Sequence, residues 1–328
     1  MGSRLVTEAR EAPAGARRQL ERCAPVFAEL AARLRASPPP LVVTCARGSS
    51  DHAATYGKYV LETTVGHLVA SVGPSVASMY KRAPVGLAGA LVIVVSQSGR
   101  SPDLLELAAA ARRGGALVVA FVNDESSPLA AACDVVVPLC AGEERAVAAT
   151  KSFLLASLAF VQLAAAWSGD AALRDAAAAV PDALDAACLG TWDLGALTTA
   201  ASLYVVGRGV GLGAAQEIAL KLKETCRLHA EAFSTAEVLH GPVALVTPGF
   251  PVIALDQRDA TEAAVNEVVD KLHLLGAQIL EPPPTSAPSV IAPLCHVQSF
   301  YLELATLAEA RGFDADAPQH LTKVTKTV

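Results

Sequence analysis

Short apolar runs recur along the chain at 41–45, 68–72, 90–95, 117–122 and 135–139, and again at 201–206, 251–255 and 278–280. They are dominated by Val, Ile, Leu and Ala and show little polar alternation, the pattern of strands buried on both faces of a parallel sheet. Between them, apolar positions fall at helical spacing. Leu20, Cys23, Phe27, Leu30 and Leu34 predict a helix over 7–34, stopped by Pro38-Pro39-Pro40. Further helices are predicted over 51–63, over 104–113 with Gly114-Gly115 as its stop, and over 150–167, 213–228 and 297–311. Strands alternating with helices predict an α/β protein with largely parallel sheets.

The alanine-rich stretch 169–191 reads as a helical connector that Pro181 interrupts, after which the pattern begins again. Arg47-Gly48 recurs as Arg208-Gly209, Glu62-Thr63 as Glu224-Thr225, His67 as His229, Val92-Ile93 as Val252-Ile253 and Gln97 as Gln257, all shifted by about 160 residues. An internal duplication is the reading. The segments expected are an N-terminal helical piece (1–38), a first domain (39–168), the connector (169–192), a second domain (193–311) and a polar tail (312–328).

Composition narrows the function classes. Apolar residues make up 52% of 328 and charged residues 18%, which excludes disorder. The mean hydropathy of +0.40 comes largely from alanine. The longest apolar candidate, 153–167, is too short to cross a bilayer, and no signal peptide is expected. A net charge of −6 without a basic run gives no sign of nucleic acid binding. Seven scattered cysteines without a Cys-x-x-Cys pair predict reduced thiols and no metal site. A soluble, cytoplasmic protein is expected.

One stretch carries chemistry. The strand at 91–95 runs into Ser96-Gln97-Ser98-Gly99-Arg100-Ser101, and Pro102 stands where a helix can begin. Such a loop aims backbone N–H groups and hydroxyls at one point, at the positive end of a helix dipole, where a phosphate is stabilised. An ordinary βα turn has the same composition. The equivalent second loop reads Asp256-Gln257-Arg258-Asp259, whose acids would repel a phosphate, so one phosphorylated ligand on the first domain is expected. Glu217, Lys221 and Glu224 share a helix face, and by spacing alone also fit an exposed ion-pair ladder. His240 before Gly241-Pro242 fits a structural role, and Lys323 fits a solvated tail lysine like Lys326.

Ser96-Gln97-Ser98-Gly99, preceded by Gly48-Ser49-Ser50, resembles the phosphosugar-binding loops of sugar isomerase (SIS) domains. The runs 220–224, His229-Ala230-Glu231-Ala232, Glu237 and 240–245 resemble the isomerase half of glucosamine-6-phosphate synthases, as do the tail 316–323 and the opening residues Glu8, Glu11 and Pro13. The resemblance implies two tandem SIS domains, each a parallel sheet flanked by helices in a three-layer αβα, flavodoxin-like or Rossmann-like arrangement. It implies phosphate binding by Gly48, Ser49, Ser50, Ser96, Gln97, Ser98 and Ser101, with Glu224 as the base that moves a proton between C2 and C1. Lys221 would hold substrate oxygens or stabilise the enolamine charge, His240 would open the sugar ring in a neighbouring subunit's site, and Lys323 would form a Schiff base with, or polarise, the open-chain carbonyl. No metal or organic cofactor is implied, and a homodimer is. The glutaminase domain of the synthases is not expected here, and Glu144 to Lys151 fits the stand-alone deaminase branch. The implied reaction is deamination of glucosamine 6-phosphate to fructose 6-phosphate and ammonia. Another amino sugar phosphate, a synthase-like partner fed with ammonia, or a non-catalytic phosphosugar sensor are the alternatives. Two departures from the synthases are expected to matter: Ala149 replaces a serine, and Arg100 replaces an acid.

Overall fold

A computed structural model describes residues 2–256 and 258–323. The chain starts with helices α1 (Arg4–Ala9) and α2 (Ala12–Ala36), so the single helix expected over 7–34 is broken at Arg10-Glu11. Next come β1 (Val42–Cys45), α3 (Ser49–Thr64), β2 (Val69–Ser71), α4 (Ser75–Ser78), β3 (Leu91–Ser96), α5 (Pro102–Arg113), β4 (Leu117–Val122), α6 (Pro128–Ala132), β5 (Val135–Pro138) and α7 (Lys151–Ser168). The five strands form one parallel sheet in the order β2-β1-β3-β4-β5, with Val43 paired to both Ala70 and Val92, and Ile93 to Val119. All six residues of the central strand β3 are buried, which is why that run carries no polar alternation.

Helix α8 (Ala171–Ala187) follows, then β6 (Ser202–Gly207), α9 (Val210–Cys226), β7 (His229–Ser234), α10 (Thr235–Val238), β8 (Pro251–Ala254), α11 (Glu262–Leu274), β9 (Gln278–Leu280) and α12 (Ala292–Ala310). The second sheet is also parallel, in the order β7-β6-β8-β9. Both sheets therefore reverse direction beside their first strand, the doubly wound pattern whose crevice opens at the carboxyl ends of the two strands flanking the reversal. The α/β class with two parallel sheets expected from the pattern is the fold observed.

Pro181 does not interrupt the connector. Helix α8 runs through it, as α2 runs through Pro25, each at the loss of one backbone hydrogen bond. Helix α7 is longer than its apolar run. At 18 residues it is long and apolar enough to cross a membrane by length and composition, yet 89% of it is buried inside the protein. Its all-round apolar surface is that of a core helix. Gly57 of α3 lets it approach α7 closely, since a Cβ there would lie 2.2 Å from Phe160 Cγ.

The chain forms two compact units that are not contiguous in sequence, unlike the segments expected above. One holds Ala14–Glu144 and Lys151–Ala178 together with Thr322 and Lys323; the other holds residues 2–13, Arg145–Thr150 and Ala179–Leu321. Hydrogen bonds explain why the N-terminus joins the second sheet's unit. Asp316 accepts the backbone N–H groups of Arg4 (2.6 Å) and Leu5 (2.8 Å), and Gln298 of α12 donates to Ala9 O (3.0 Å). Buried Glu8 accepts the N–H groups of Arg145 (2.7 Å) and Ala146 (3.0 Å).

Candidate functional site

In the first sheet's unit, the reversal falls between β1 and β3, and the two loops leaving these strands are the serine loops. The first passes through Gly48, whose φ of 55° and ψ of −133° only glycine adopts without strain, and α3 starts at Ser49. The second turns at Gly99 (φ 61°), where a Cβ would lie 2.2 Å from Ser127 Oγ. Asp103 ties the loops together. Fully buried, its Oδ2 accepts both Nε (3.0 Å) and Nη2 (2.9 Å) of Arg47, and its Oδ1 accepts the N–H of Leu104 (2.9 Å). Ser101 stands at the N-cap of α5 and makes no side-chain cap bond. Thus a twelve-residue helix presents its positive end at the loop, with Asp103 of its first turn already on the Leu104 N–H.

The hydroxyls are not equivalent. Ser96 is buried and accepts the Gly99 N–H (3.0 Å), so it shapes the loop. Ser49, Ser50, Gln97, Ser98 and Ser101 are half-buried. Arg100 is exposed and pairs with Asp124 at 2.8 Å. Burial raises the carboxyl pKa of Asp51, in the first turn of α3, with His52 and Arg47 opposing.

Lys323 lies in the same unit and is not a solvated tail lysine. Its Nζ donates to Glu144 Oε2 at 3.2 Å. The Glu144 side chain is fully buried and also accepts the Ser152 N–H (3.1 Å) and hydroxyl (2.7 Å) at the start of α7. One carboxylate thus caps a helix and holds the tail amine, a charge-assisted arrangement. Lys326 and Gln257 lie outside the described residues.

In the other unit, α9 carries Glu217, Lys221 and Glu224. The exposed ladder that spacing allowed is not what forms. Lys221 and Glu217 are fully buried, and Lys221 Nζ lies 2.5 Å from Glu224 Oε2 and 3.4 Å from Glu217 Oε1. Tyr301 of α12 donates its hydroxyl to Glu217 Oε1 at 2.9 Å. Glu224 is the open end of this network, with 20% of its side chain exposed. It borders a cleft of about 170 Å³ lined by Arg227, Phe313, Asp314, Pro318 and Gln319 among others. Arg227, left-handed at φ 48°, sets its guanidinium 5.1 Å from the Phe313 ring centre, a cation–π contact. His240 is exposed, in a turn where its N–H donates to Glu237 O (2.9 Å), just before Gly241 at φ 135°.

The arrangement adds residues that sequence reasoning missed as site residues: Arg47, Asp103, Glu144, Arg227 and Tyr301. Arg47 and Asp103 each adjoin a serine loop, which was the available signal. Tyr301 sits on a distant helix and left none.

Known proteins resemble this chain in sequence and in fold. The isomerizing glutamine–fructose-6-phosphate aminotransferase of Aeropyrum pernix is 36% identical over 309 residues, covering 84% of this chain and 49% of that one. The chain spans about half the length of the curated relatives it matches. A solved structure of a candidate phosphosugar isomerase from Silicibacter pomeroyi superposes with a TM-score of 0.90 at 41% identity, covering 96% of this chain and all (100%) of that one. Glucosamine-6-phosphate deaminase of Thermotoga maritima superposes with a TM-score of 0.80 at 21% identity, over 99% and 100% of the two chains, a likeness of fold alone. The SIS domain matches twice, at residues 40–166 and 196–280, and each match contains one of the two parallel sheets. With both sheets so matched, the chain belongs to the SIS domain family.

Proposed function

We propose that the protein is an amino-sugar-phosphate deaminase of the aldose–ketose isomerase type, converting glucosamine 6-phosphate to fructose 6-phosphate and ammonia. The observation that carries this reading is the Lys221–Glu224 pair, with the ammonium buried and the carboxylate reaching a cleft. A binding module has no use for a buried charge pair ending in an accessible carboxylate, whereas proton transfer between adjacent carbons requires such a group held in place.

The phosphate is taken by Ser49, Ser50, Gln97, Ser98 and Ser101 with Gly48 and the loop backbone, while Ser96 holds that loop's shape. His240 opens the pyranose by moving the C1 hydroxyl proton to the ring oxygen as the bond from C1 to that oxygen breaks, and we place it in the site of a second copy, making the active form a homodimer. Lys323, fixed by Glu144, polarises the C1 carbonyl. Glu224 removes the C2 proton, giving an enolamine, and returns it to C1. Lys221 occupies Glu224 Oε2, which leaves Oε1 for the proton. The resulting C2 imine takes up water, and the C–N bond breaks to release ammonia.

The test is an end-point assay with glucosamine 6-phosphate and no glutamine, measuring ammonia and fructose 6-phosphate separately. Equal amounts of both are expected, and the Glu224→Gln variant is expected to fall at least a hundredfold. Binding without turnover would overturn the reading in favour of a sensor.

A further inference from the structure

Seven cysteines are dispersed along the sequence, and the fold brings two of them together. Cys23, on α2, donates its thiol to Pro138 O at 3.3 Å, and Cys140, just after β5, points its thiol at the same oxygen at 3.7 Å. Sharing one acceptor oxygen sets the two sulfurs beside each other. Both belong to the first sheet's unit.

The segment carrying Cys140 is held in place. Its backbone is left-handed, with φ of 58°, a conformation that a non-glycine residue adopts at a cost of about 1 kcal/mol or more. Arg18 of α2 donates to Cys140 O at 3.0 Å. Asn123 accepts the Ala141 N–H at 2.9 Å and donates to Gly142 O at 2.8 Å. Together these bonds turn the Cys140 side chain back onto α2.

The thiols differ in character. Cys23 is buried and Cys140 is half-buried. The Cys140 thiol is lowered from its ordinary value, foremost by the neighbouring Cys23 thiol, with Arg22 and Arg18 adding their charge. The other six cysteines are all raised, Cys23 foremost by the neighbouring Cys140 thiol and the remaining five foremost by burial. A half-buried thiol that ionises more readily, beside a buried one, is the arrangement of an attacking cysteine and its resolving partner.

We propose that Cys140 and Cys23 form a reversible intramolecular disulfide, with Cys140 the site at which a hydroperoxide acts first. The Cys140 thiolate attacks one peroxide oxygen, forming an S–O bond as the O–O bond breaks. Sulfur is oxidised to the sulfenic acid, and the departing hydroxide (or alkoxide) is protonated. The Cys23 sulfur then attacks the Cys140 sulfur, an S–S bond replaces the S–O bond, and the leaving hydroxide takes the Cys23 proton as water. Two thiols and one hydrogen peroxide become one disulfide and two waters. The bridge ties α2 to the segment leading into Glu143 and Glu144.

The test exposes the reduced, folded protein to hydrogen peroxide, then unfolds it and alkylates the remaining thiols for peptide mapping. The expected result is the loss of two of the seven alkylatable thiols, a linked pair of peptides containing Cys23 and Cys140, and full recovery with dithiothreitol. A Cys23→Ala variant should instead stop at a dimedone-reactive sulfenic acid on Cys140. Seven alkylatable thiols after peroxide, or a Cys140 carried to the sulfinic acid without a bridge in the unsubstituted protein, would overturn the proposal. Neither readout depends on sugar phosphate turnover.

Discussion

At the scale of single residues, the ammonium of Lys221 joins two carboxylates, fully buried Glu217 and partly exposed Glu224. Glu217 has the Tyr301 hydroxyl and Lys221 among its partners within 3.4 Å. Replacing Lys221 with Met would remove a countercharge from a buried carboxylate, and breaking one side of a buried pair costs about 3–5 kcal/mol. Water reaches Glu224 and screens its share of that loss. Lys221→Met is therefore expected to lower the unfolding free energy by about 3 kcal/mol in a urea titration, and Tyr301→Phe by about 1 kcal/mol. No change for Lys221→Met would mean that the pair contributes nothing to folding. The sequence placed the three charged groups on one face but left their burial open. Spacing of three and four residues is identical in an exposed ladder and in a buried network, and what separates them is Tyr301, 84 residues from Glu217.

At the scale of elements, the serine loops are a pair only because Arg47 and Asp103 hold them. Each loop belongs to a different βα unit, and the Arg47–Asp103 ion pair spans 56 residues of sequence to join them. Asp103→Asn keeps the shape and the Leu104 N–H acceptor but removes the charge that orients the guanidinium. It is expected to weaken phosphosugar binding about tenfold, roughly 1.4 kcal/mol, with little change in far-ultraviolet circular dichroism. Unchanged affinity in a calorimetric titration would show that the loops hold their geometry unaided. Elements were the most legible level. The buried strands announced themselves as unbroken apolar runs, but β7 did not, because His229 and Glu231 alternate with smaller residues along a sheet edge. Helix α11 was also missed, although Val265, Val268 and Leu272 carry a helical period. The connector's proline was misread because a single lost hydrogen bond does not end a helix whose apolar face is buried.

At the scale of the whole molecule, two sheets of matching strand order differ in what their loops can bind. Gly48 and Gly209 open the equivalent helices α3 and α9 with nearly the same backbone angles, φ 55° and ψ −133° against φ 54° and ψ −125°. The loops after β3 and β8 then diverge. Neither the α5 cap nor the α11 cap makes a side-chain bond, and in the first loop the carboxylate on a backbone donor is that of Asp103, which Arg47 neutralises. In the second, Asp256 accepts the Arg258 N–H at 3.1 Å, and Asp259 accepts the Thr261 N–H at 2.8 Å and its hydroxyl at 2.6 Å. Carboxylates already sit on the donors that an anion would need, and their charge opposes a second one. One phosphosugar per chain is therefore expected, measured as the stoichiometry of a calorimetric titration with fructose 6-phosphate. Ser98→Asp, which places on the first loop the charge that the second already carries, should abolish that binding without opening another site. Two equivalents per chain, or binding that survives Ser98→Asp, would mean that the second loop still holds phosphate and that its acids do not decide the matter.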